Sequence, residues 1–589
     1  MRLPVLATAL CTAAGLLAVP AAATAAPADR GTEARIRATV ARMSLPDKVG
    51  QMIVALINGN AADTEDPAAV AANQQLYGVD NGVQLVDKYH LGGIIYFSNR
   101  GNIVNPRQVA TFSNTLQKTA LATPSGVPLE LGIDQEGGVV NRIGAPLAVS
   151  PGNMAQGAGF RPTEARAVAE ANGHQLRALG INADYAPVLD VNTNALNTAD
   201  GPRAFGDRPA PVAAFGTNAV AGYHEGGVAT GVKHFPGLGS TTVNTDNGVA
   251  VSDQTARQFM TNDIPPFRAA VRAGSDMIMA AHIIAPALDP SRAPASLSEP
   301  IVTGLLRKRL GYDGVVITDA LDAAAVADVP PTERVVRAVK AGIDQVLMPP
   351  ELADSKQALI DAVNSGDVPM SRIDSAVTRI LRMKYARGVF AHPYADLDAI
   401  DANTGTPAQQ ATMAGAAKRS ITLVKNDAGT LPLSTANVGR TLVTGYGATS
   451  VPTVAGELGK HGLTTTALTT GTTPSDAAIQ NAVTAAKDQD AVVVLTYNAW
   501  NNTQQQKLVK ALLDTGKRVA VVALGGPYDI AYVTGAKAYV AAYGFQPVSL
   551  TAAADTLTGT RPAGRLPVTI PVAGHPDQVL YRYGTGLHY

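Results

Sequence analysis

The stretch Tyr312-Asp313-Gly314-Val315-Val316-Ile317-Thr318-Asp319-Ala320-Leu321 decides the fold. Val315 to Thr318 is an unbroken β-branched run, the pattern of a strand buried on both faces in a parallel sheet. The run stops at a carboxylate, Asp319. A charge at the C-terminal end of such a strand has left the core and faces a cleft. The competing reading of Asp319 is a cap on the next helix. The cleft is favoured because several other strands of this chain end in the same way.

Similar apolar, β-rich runs recur at 51–57, 92–97, 129–134, 182–189, 228–234, 275–282 and 344–348; with 314–319 they make eight predicted strands. The connections are long enough for crossover helices, and helical patterns at 163–179, 263–273 and 371–385 fit an outer ring. Alternating β and α elements predict a parallel sheet with right-handed crossovers, and eight units predict a TIM-like (β/α)8 barrel over residues 32–390. An open doubly wound sheet is the alternative, but no glycine-rich dinucleotide fingerprint follows any first strand. From 391 to 410 the pattern lapses into Pro, Asp, Asn, Gly and Thr, which reads as a linker. Residues 411–589 carry a second α/β series, with strands expected at 441–446, 491–497, 519–524 and 538–543 and helices at 475–489, 503–515 and 548–557. This predicts a smaller α/β sandwich domain of parallel strands. Two large domains also suit a chain of 589 residues, too long for one core.

Lys+Arg and Asp+Glu are equal at 47 each, which leaves no basic stripe for nucleic acid and no polybasic patch for a membrane surface. Residues 1–25 read as an export signal. Arg2 supplies the charge, 3–19 is an apolar run, and Ala23-Thr24-Ala25 is a small-x-small cleavage site. The apolar stretch is short for a membrane span, so the expectation is cleavage, secretion to the exterior or cell wall, and no membrane insertion afterwards. The single cysteine, Cys11, lies in this signal and follows Leu10, not the small residue that a lipoprotein signal needs. The mature chain would then have no disulfide and no thiolate metal site.

At the predicted strand ends stand Asp134 and Glu136, Asp190, Lys233 and His234, His282, and Asp319. A purely structural barrel has no reason to gather carboxylates, a lysine and histidines at one rim. The chain lacks His-x-x-His and His-x-x-x-His spacings, a phosphate-binding P-loop and a Gly-x-Ser-x-Gly elbow. No metal or other cofactor is therefore called for. Carboxylates beside a few cations fit glycoside hydrolysis, in which one carboxylate attacks the anomeric carbon and a second group protonates the leaving oxygen.

At this point several stretches agree in order. Ile133-Asp134-Gln135-Glu136-Gly137-Gly138-Val139-Val140-Asn141-Arg142, Ala186-Pro187-Val188-Leu189-Asp190 and Asp313 to Asp319 resemble signatures of family 3 glycoside hydrolases. Lys233-His234-Phe235-Pro236-Gly237-Leu238-Gly239 is similar to the hallmark of the family's β-N-acetylhexosaminidase branch. Ser420 to Asn426 and Pro562 to Thr569 fit the family's second domain. The resemblance implies a retaining mechanism with Asp319 as nucleophile. It implies a sugar-binding set of Asp134, Arg142, Arg203, Lys233 and His234, with His282 supporting the Lys233-His234 turn. The implied activity is exo-cleavage of terminal N-acetylglucosamine from a β-linked amino-sugar oligosaccharide or muropeptide. The rivals are a β-glucosidase or related β-glycosidase of the same fold, and a sugar-binding protein without turnover.

One departure stands out. The hexosaminidase branch carries Asp-Ser/Thr-His after its fifth strand, the histidine being the acid/base. Here the same spacing gives Asn244-Thr245-Asp246. Asp with neutral His carries one negative charge, and so does Asn with Asp. Asp246 is therefore expected to be the acid/base, with Asn244 donating a hydrogen bond that orients it. A free aspartate titrates near ~3.9, so this acid needs burial or a neighbouring carboxylate. The alternatives are a solvated turn aspartate, or a glutamate from the second domain as in the β-glucosidase branch. Beyond residue 405 the one glutamate is Glu457. Some histidine-bearing members are thought to use phosphate as acceptor; an anionic Asp246 would repel it, so hydrolysis is expected.

Overall fold

A computed structural model describes residues 30–589; the export signal proposed at 1–25 lies outside them. The barrel strands are β1 (Ile53–Leu56), β2 (Gly93–Tyr96), β3 (Glu130–Ile133), β4 (Ala183–Asp184), β5 (Ala229–Phe235), β6 (Met277–Ala280), β7 (Val315–Thr318) and β8 (Val346–Leu347). They hydrogen-bond in the order β7-β6-β5-β4-β3-β2-β1-β8, each strand parallel to its neighbours in that order. The ring closes where Ile317 bridges Gln345 in parallel and Thr318 N donates to Gln345 O at 3.1 Å. All eight strands are buried along their length, including the polar residues that β3, β4 and β5 carry, such as Glu130, Asp184 and Lys233.

The barrel interior is filled by side chains. Tyr185 crosses it and donates to Glu130 Oε1 at 2.8 Å, while Gln345 Nε2 donates to Glu130 Oε2 at 2.8 Å. Two strand positions facing this ring are glycine because nothing larger fits. A Cβ on Gly132 would stand 2.7 Å from the Tyr185 hydroxyl, and one on Gly231 2.9 Å from its ring. Outside, the crossover helices Pro67–Tyr77, Pro106–Ala122, Pro162–Ala178, Pro209–Glu225 and Pro331–Ala341 each begin on a proline. Proline is suited to the first turn because its missing N–H has no partner there in any case.

The stretch 391–410 is not a loose tether. It carries the short helix Ile400–Asn403, buries Ala395 and Ile400 against the barrel core, and is pinned by Asn114 Nδ2 to Ala395 O at 2.9 Å. Helix Pro407–Ser420 then leads into the second domain. Its sheet comprises β9 (Thr422–Asn426), β10 (Arg440–Gly445), β11 (Thr464–Thr469), β12 (Ala491–Thr496), β13 (Arg518–Ala523) and β14 (Ala538–Ala541), in the order β11-β10-β12-β13-β14-β9. The sheet is parallel except for β9, which runs antiparallel at one edge. The sequence reading missed β9 and β11; β11 is a threonine-rich, mostly exposed edge strand with no apolar run to announce it. A hairpin of β15 (Ile570–Val572) and β16 (His575–Tyr581) completes the domain.

This domain sits on the loops that follow β3 and β4. Asn192 Nδ2 donates to the Tyr528 hydroxyl at 2.8 Å, Gln546 Nε2 to Gly138 O at 2.7 Å and Thr569 N to Asp207 Oδ2 at 2.6 Å. Met154, Ala155 and Ala158 of the barrel chain pack into the second domain's own apolar core. Among the described residues no helix is long and apolar enough to cross a membrane.

Candidate active site

The C-terminal ends of the strands open into a cavity of about 720 Å³. Its floor is a chain of buried charges. Lys233 Nζ donates to Asp134 Oδ1 at 2.6 Å and lies 2.7 Å from Glu136 Oε1. Arg203 grips Glu136 with both arms, Nη2 to Oε1 at 2.7 Å and Nε to Oε2 at 2.9 Å. Arg142 Nη2 stands 3.5 Å from Asp134 Oδ2, and its guanidinium covers the Phe97 ring. Burial by itself would neutralise these groups. It acts to raise the Glu136 carboxyl, but the Arg203 and Lys233 charges outweigh it and hold the group well below the usual carboxylate range. Burial pulls the Lys233 ammonium down, yet Asp134 and Glu136 leave it above its ordinary value. The clamp is thus fixed in its charged form.

Behind it lies His234. Its Nδ1 is 2.6 Å from Asp190 Oδ2, and Asp190 also accepts from His234 N at 3.2 Å and Leu238 N at 2.7 Å. His234 Nε2 is 3.3 Å from Arg203 Nη2. Burial opposes protonation of the imidazole, but Asp190 prevails and raises it. Asp200 joins this group from the loop after β4, with Oδ1 3.9 Å from His234 Nδ1. Burial and the charge of Asp190 push its carboxyl far up. Asp190, Asp200 and His234 are the one group of metal-ligating types gathered within 4.8 Å among the described residues. Asp190 is already engaged by three donors, so the geometry suits a proton-sharing support for His234 better than an open coordination site.

Asp319 follows β7 directly. Its N donates to Ala280 O at 2.8 Å, which locks it to β6, and its Oδ1 accepts from Ala320 N at 2.8 Å. Burial raises this carboxyl, but His234, His282 and the Ala320 N–H together hold it below the ordinary range. It faces the cavity as a carboxylate. His282 is fully buried, with Nδ1 2.7 Å from Ser296 Oγ and Nε2 2.8 Å from Ala320 O. It therefore braces the backbone just after Asp319, not the Lys233-His234 turn that the sequence reading assigned to it.

The loop after β5 brings Asn244, Thr245 and Asp246 to the same cavity. Ala325 N donates to Thr245 O at 3.1 Å and Ala324 N to Asp246 O at 3.4 Å, which ties this loop to the segment beyond β7. Asp246 is exposed. The expected hydrogen bond from the Asn244 amide to Asp246 is not formed. Asn244 Oδ1 instead accepts from Asp246 N at 2.9 Å, an Asx turn that shapes the backbone rather than the carboxylate.

Three sets of residues escaped the sequence reading. Glu136 was placed at a strand end but not in the sugar-binding set, although it is the hub of the clamp. Asp200 and Asp322 lie in loops with no strand pattern to mark them. The second domain supplies Tyr497, Asn498, Trp500, Gly526 and Tyr528 to the cavity wall. The signal for that wall was present: the β12 run ends in Tyr497-Asn498-Ala499-Trp500, which holds the chain's one tryptophan. Glu457 sits in helix Ser450–Lys460, 2.7 Å from Lys460, and does not line the cavity.

Comparison with known proteins agrees with this layout. Residues 44–383 match the Glycosyl hydrolase family 3 N terminal domain and residues 421–589 the Glycosyl hydrolase family 3 C-terminal domain. The chain is 36% identical over 376 residues to Beta-hexosaminidase A of Pseudoalteromonas piscicida; the match takes in 59% of this chain and spans 62% of that protein's length. It is 30% identical over 418 residues to Beta-N-acetylglucosaminidase/beta-glucosidase of Cellulomonas fimi, covering 69% of each. Among solved structures, a glycoside hydrolase family 3 beta-N-acetylglucosaminidase from Paenibacillus sp. str. FPU-7 is 33% identical with a TM-score of 0.82, over 90% of this chain and 99% of that one.

Proposed function

The chain belongs to glycosyl hydrolase family 3, and from that premise we propose that it is a retaining, exo-acting β-N-acetylhexosaminidase releasing terminal N-acetylglucosamine. The observation that carries this reading is an ionised Asp319 set beside the Lys233–Glu136–Arg203 clamp at the barrel mouth. Charge-assisted hydrogen bonds from such a clamp grip vicinal sugar hydroxyls. Gripping the non-reducing sugar selects the chain end, hence exo-cleavage.

In the first step an Asp319 oxygen bonds to the anomeric carbon while the bond to the leaving oxygen breaks. Asp246 gives that oxygen its proton. In the second, water adds to the anomeric carbon, Asp246 takes the water's proton, and the ester bond to Asp319 breaks. Both side chains return to their starting state. The negative charge of Asp246 disfavours phosphate as the acceptor in place of water.

A second reading, β-glucosidase, is favoured by the name of the Cellulomonas fimi relative. It is weakened by the position of Glu457, the one glutamate beyond residue 405, away from the cavity. The N-terminal export pattern supports a secreted enzyme acting on cell-wall muropeptides or chitin fragments and remaining outside the membrane. Rates on matched aryl N-acetylglucosaminide and glucoside test the proposal, for the parent and for Asp246→Asn. Preference for the acetamido sugar is expected. The reverse preference points to a glucosidase, and binding without turnover to a sugar-binding protein.

A further inference from the structure

We infer that Asp322 is a positioning residue for the acid: it and Asp246 form a carboxyl pair at the cavity mouth that shares one proton. The inference rests on the reading of Asp246 as the acid/base and supplies what that reading lacks. Asp246 is exposed, so a neighbouring charge rather than burial must keep a proton available.

Asp322 lines the same cavity, one residue past Leu321 in the turn that follows Asp319. The backbone bonds from Ala324 N to Asp246 O and from Ala325 N to Thr245 O clamp the two loops side by side. Neither carboxylate belongs to any ion pair among the described residues, unlike Asp134, Glu136 and Asp190 in the floor. The groups facing Asp322 come from its own turn and from four other elements. Asp246 and Asp319 bring negative charge, Arg100 and Arg334 positive charge, and Tyr77 a neutral phenol. Arg334 is occupied with backbone, donating to Leu321 O at 2.7 Å, Val329 O at 2.6 Å and Ala327 O at 3.1 Å, and so fixes the turn that carries Asp322. Partial burial, with Asp246 and Asp319 adding to it, raises the Asp322 carboxyl despite its own backbone N–H and Arg100, which oppose the rise. A second carboxylate carried on a loop tied to the first opposes the loss of the proton from Asp322.

The pair also suits both halves of the reaction. While Asp319 is ionised, its charge helps retain the shared proton for delivery to the leaving oxygen. Once that proton has gone to the leaving oxygen, the pair carries both negative charges, and their mutual repulsion favours taking the water's proton back in the second step.

The test uses the full chain, N,N′-diacetylchitobiose as a substrate whose leaving group needs a proton, and the 2,4-dinitrophenyl N-acetylglucosaminide as one whose leaving group does not. Asp322→Asn should move the basic limb of kcat/KM for the disaccharide down by about one pH unit, a loss of roughly tenfold above that limb. For the dinitrophenyl substrate kcat/KM, which reports the first step alone, should fall far less than for the disaccharide, and its basic limb should not move. Asp322→Glu should restore the limb, and Asp322→Ser should repeat the Asn result if the Asn variant folds poorly. A basic limb that stays in place in both Asp322→Asn and Asp322→Ser, while Asp246→Asn loses disaccharide activity, overturns the pair and leaves Asp246 as the acid. Full disaccharide activity in Asp246→Asn overturns the acid assignment itself, and the pair with it.

Discussion

The floor of the cavity and its acid loop solve opposite problems. In the floor, Lys233 is 2% exposed and Glu136 5%, and Lys233, Asp134, Glu136 and Arg203 are joined by hydrogen bonds and ion pairs of 2.6–2.9 Å. In the loop, Asp246 is exposed and tied down through its backbone alone. The floor grows out of strand ends, where moving one charge strands another in low dielectric. The loop is a surface connection whose side chains can change without disturbing the barrel. That contrast accounts for a family resemblance that holds through the sugar-binding set yet breaks at the Asp-Ser/Thr-His position, where Asn244-Thr245-Asp246 stands.

The sharpest way to break the contrast is at Asp319, the floor residue that reacts. Asp319→Ala should lower kcat/KM by at least ~10⁴-fold on every β-glycoside, activated or not, because both steps of a retaining reaction pass through this carboxylate. Azide added to this variant should enter from the vacated side and yield the α-glycosyl azide, read by NMR. A product of β configuration would contradict Asp319 as nucleophile.

Next in size is Lys233→Met, which removes the shared cation from Asp134 and Glu136. Leaving a buried charge without its partner costs about 3–5 kcal/mol, and thermal unfolding should register it. The pH dependence has a definite sign. The folded-state value of Glu136 is depressed, so its stabilisation is fully present above the unfolded carboxyl value and is lost as pH falls through the folded one. The parent should therefore lose stability progressively as the medium is acidified below about pH 4.3, and Lys233→Met should lose less over the same range. Equal slopes would mean that the clamp does not hold Glu136 ionised.

The same contrast explains what could be read from the sequence. β7 was legible because Val315 to Thr318 admits no other arrangement than a doubly buried strand, and Asp319 was legible because it ends that run. Lys233 and His234 were legible for the same reason at the end of β5. Asp200 and Asp322 were not, since both sit in irregular loops where no periodicity links a residue to a direction. The role of Glu136 depends on Arg203, which is 67 residues away in sequence and reaches it through the fold. The Tyr497-to-Trp500 run was visible in the sequence but its destination was not, since Trp500 reaches the cavity through domain docking shown by contacts such as Asn192 to Tyr528. Asn244 was read with the right neighbour but the wrong atom, because spacing places two residues together without saying which end of an amide is used.

That last point gives the smallest and most discriminating prediction. Asn244 acts through Oδ1 as acceptor for Asp246 N, and its main-chain carbonyl accepts from Asn247 N at 3.0 Å and Gly248 N at 3.2 Å. A side-chain acceptor is all the Asx turn requires. Asn244→Asp keeps that acceptor and should preserve the loop, while its added negative charge beside Asp246 should move the basic limb of the disaccharide pH profile upward. Asn244→Ala removes the acceptor and should cost only a few-fold in kcat/KM on the disaccharide, with little change on the dinitrophenyl substrate, since a single exposed turn bond is worth about 1 kcal/mol. If Asn244 worked instead by donating its amide to the Asp246 carboxylate, Asn244→Asp would lose that donor and fall as far as Asn244→Ala or further. The order of the two variants on the disaccharide therefore decides whether the acid loop is shaped through its backbone or through its side chains.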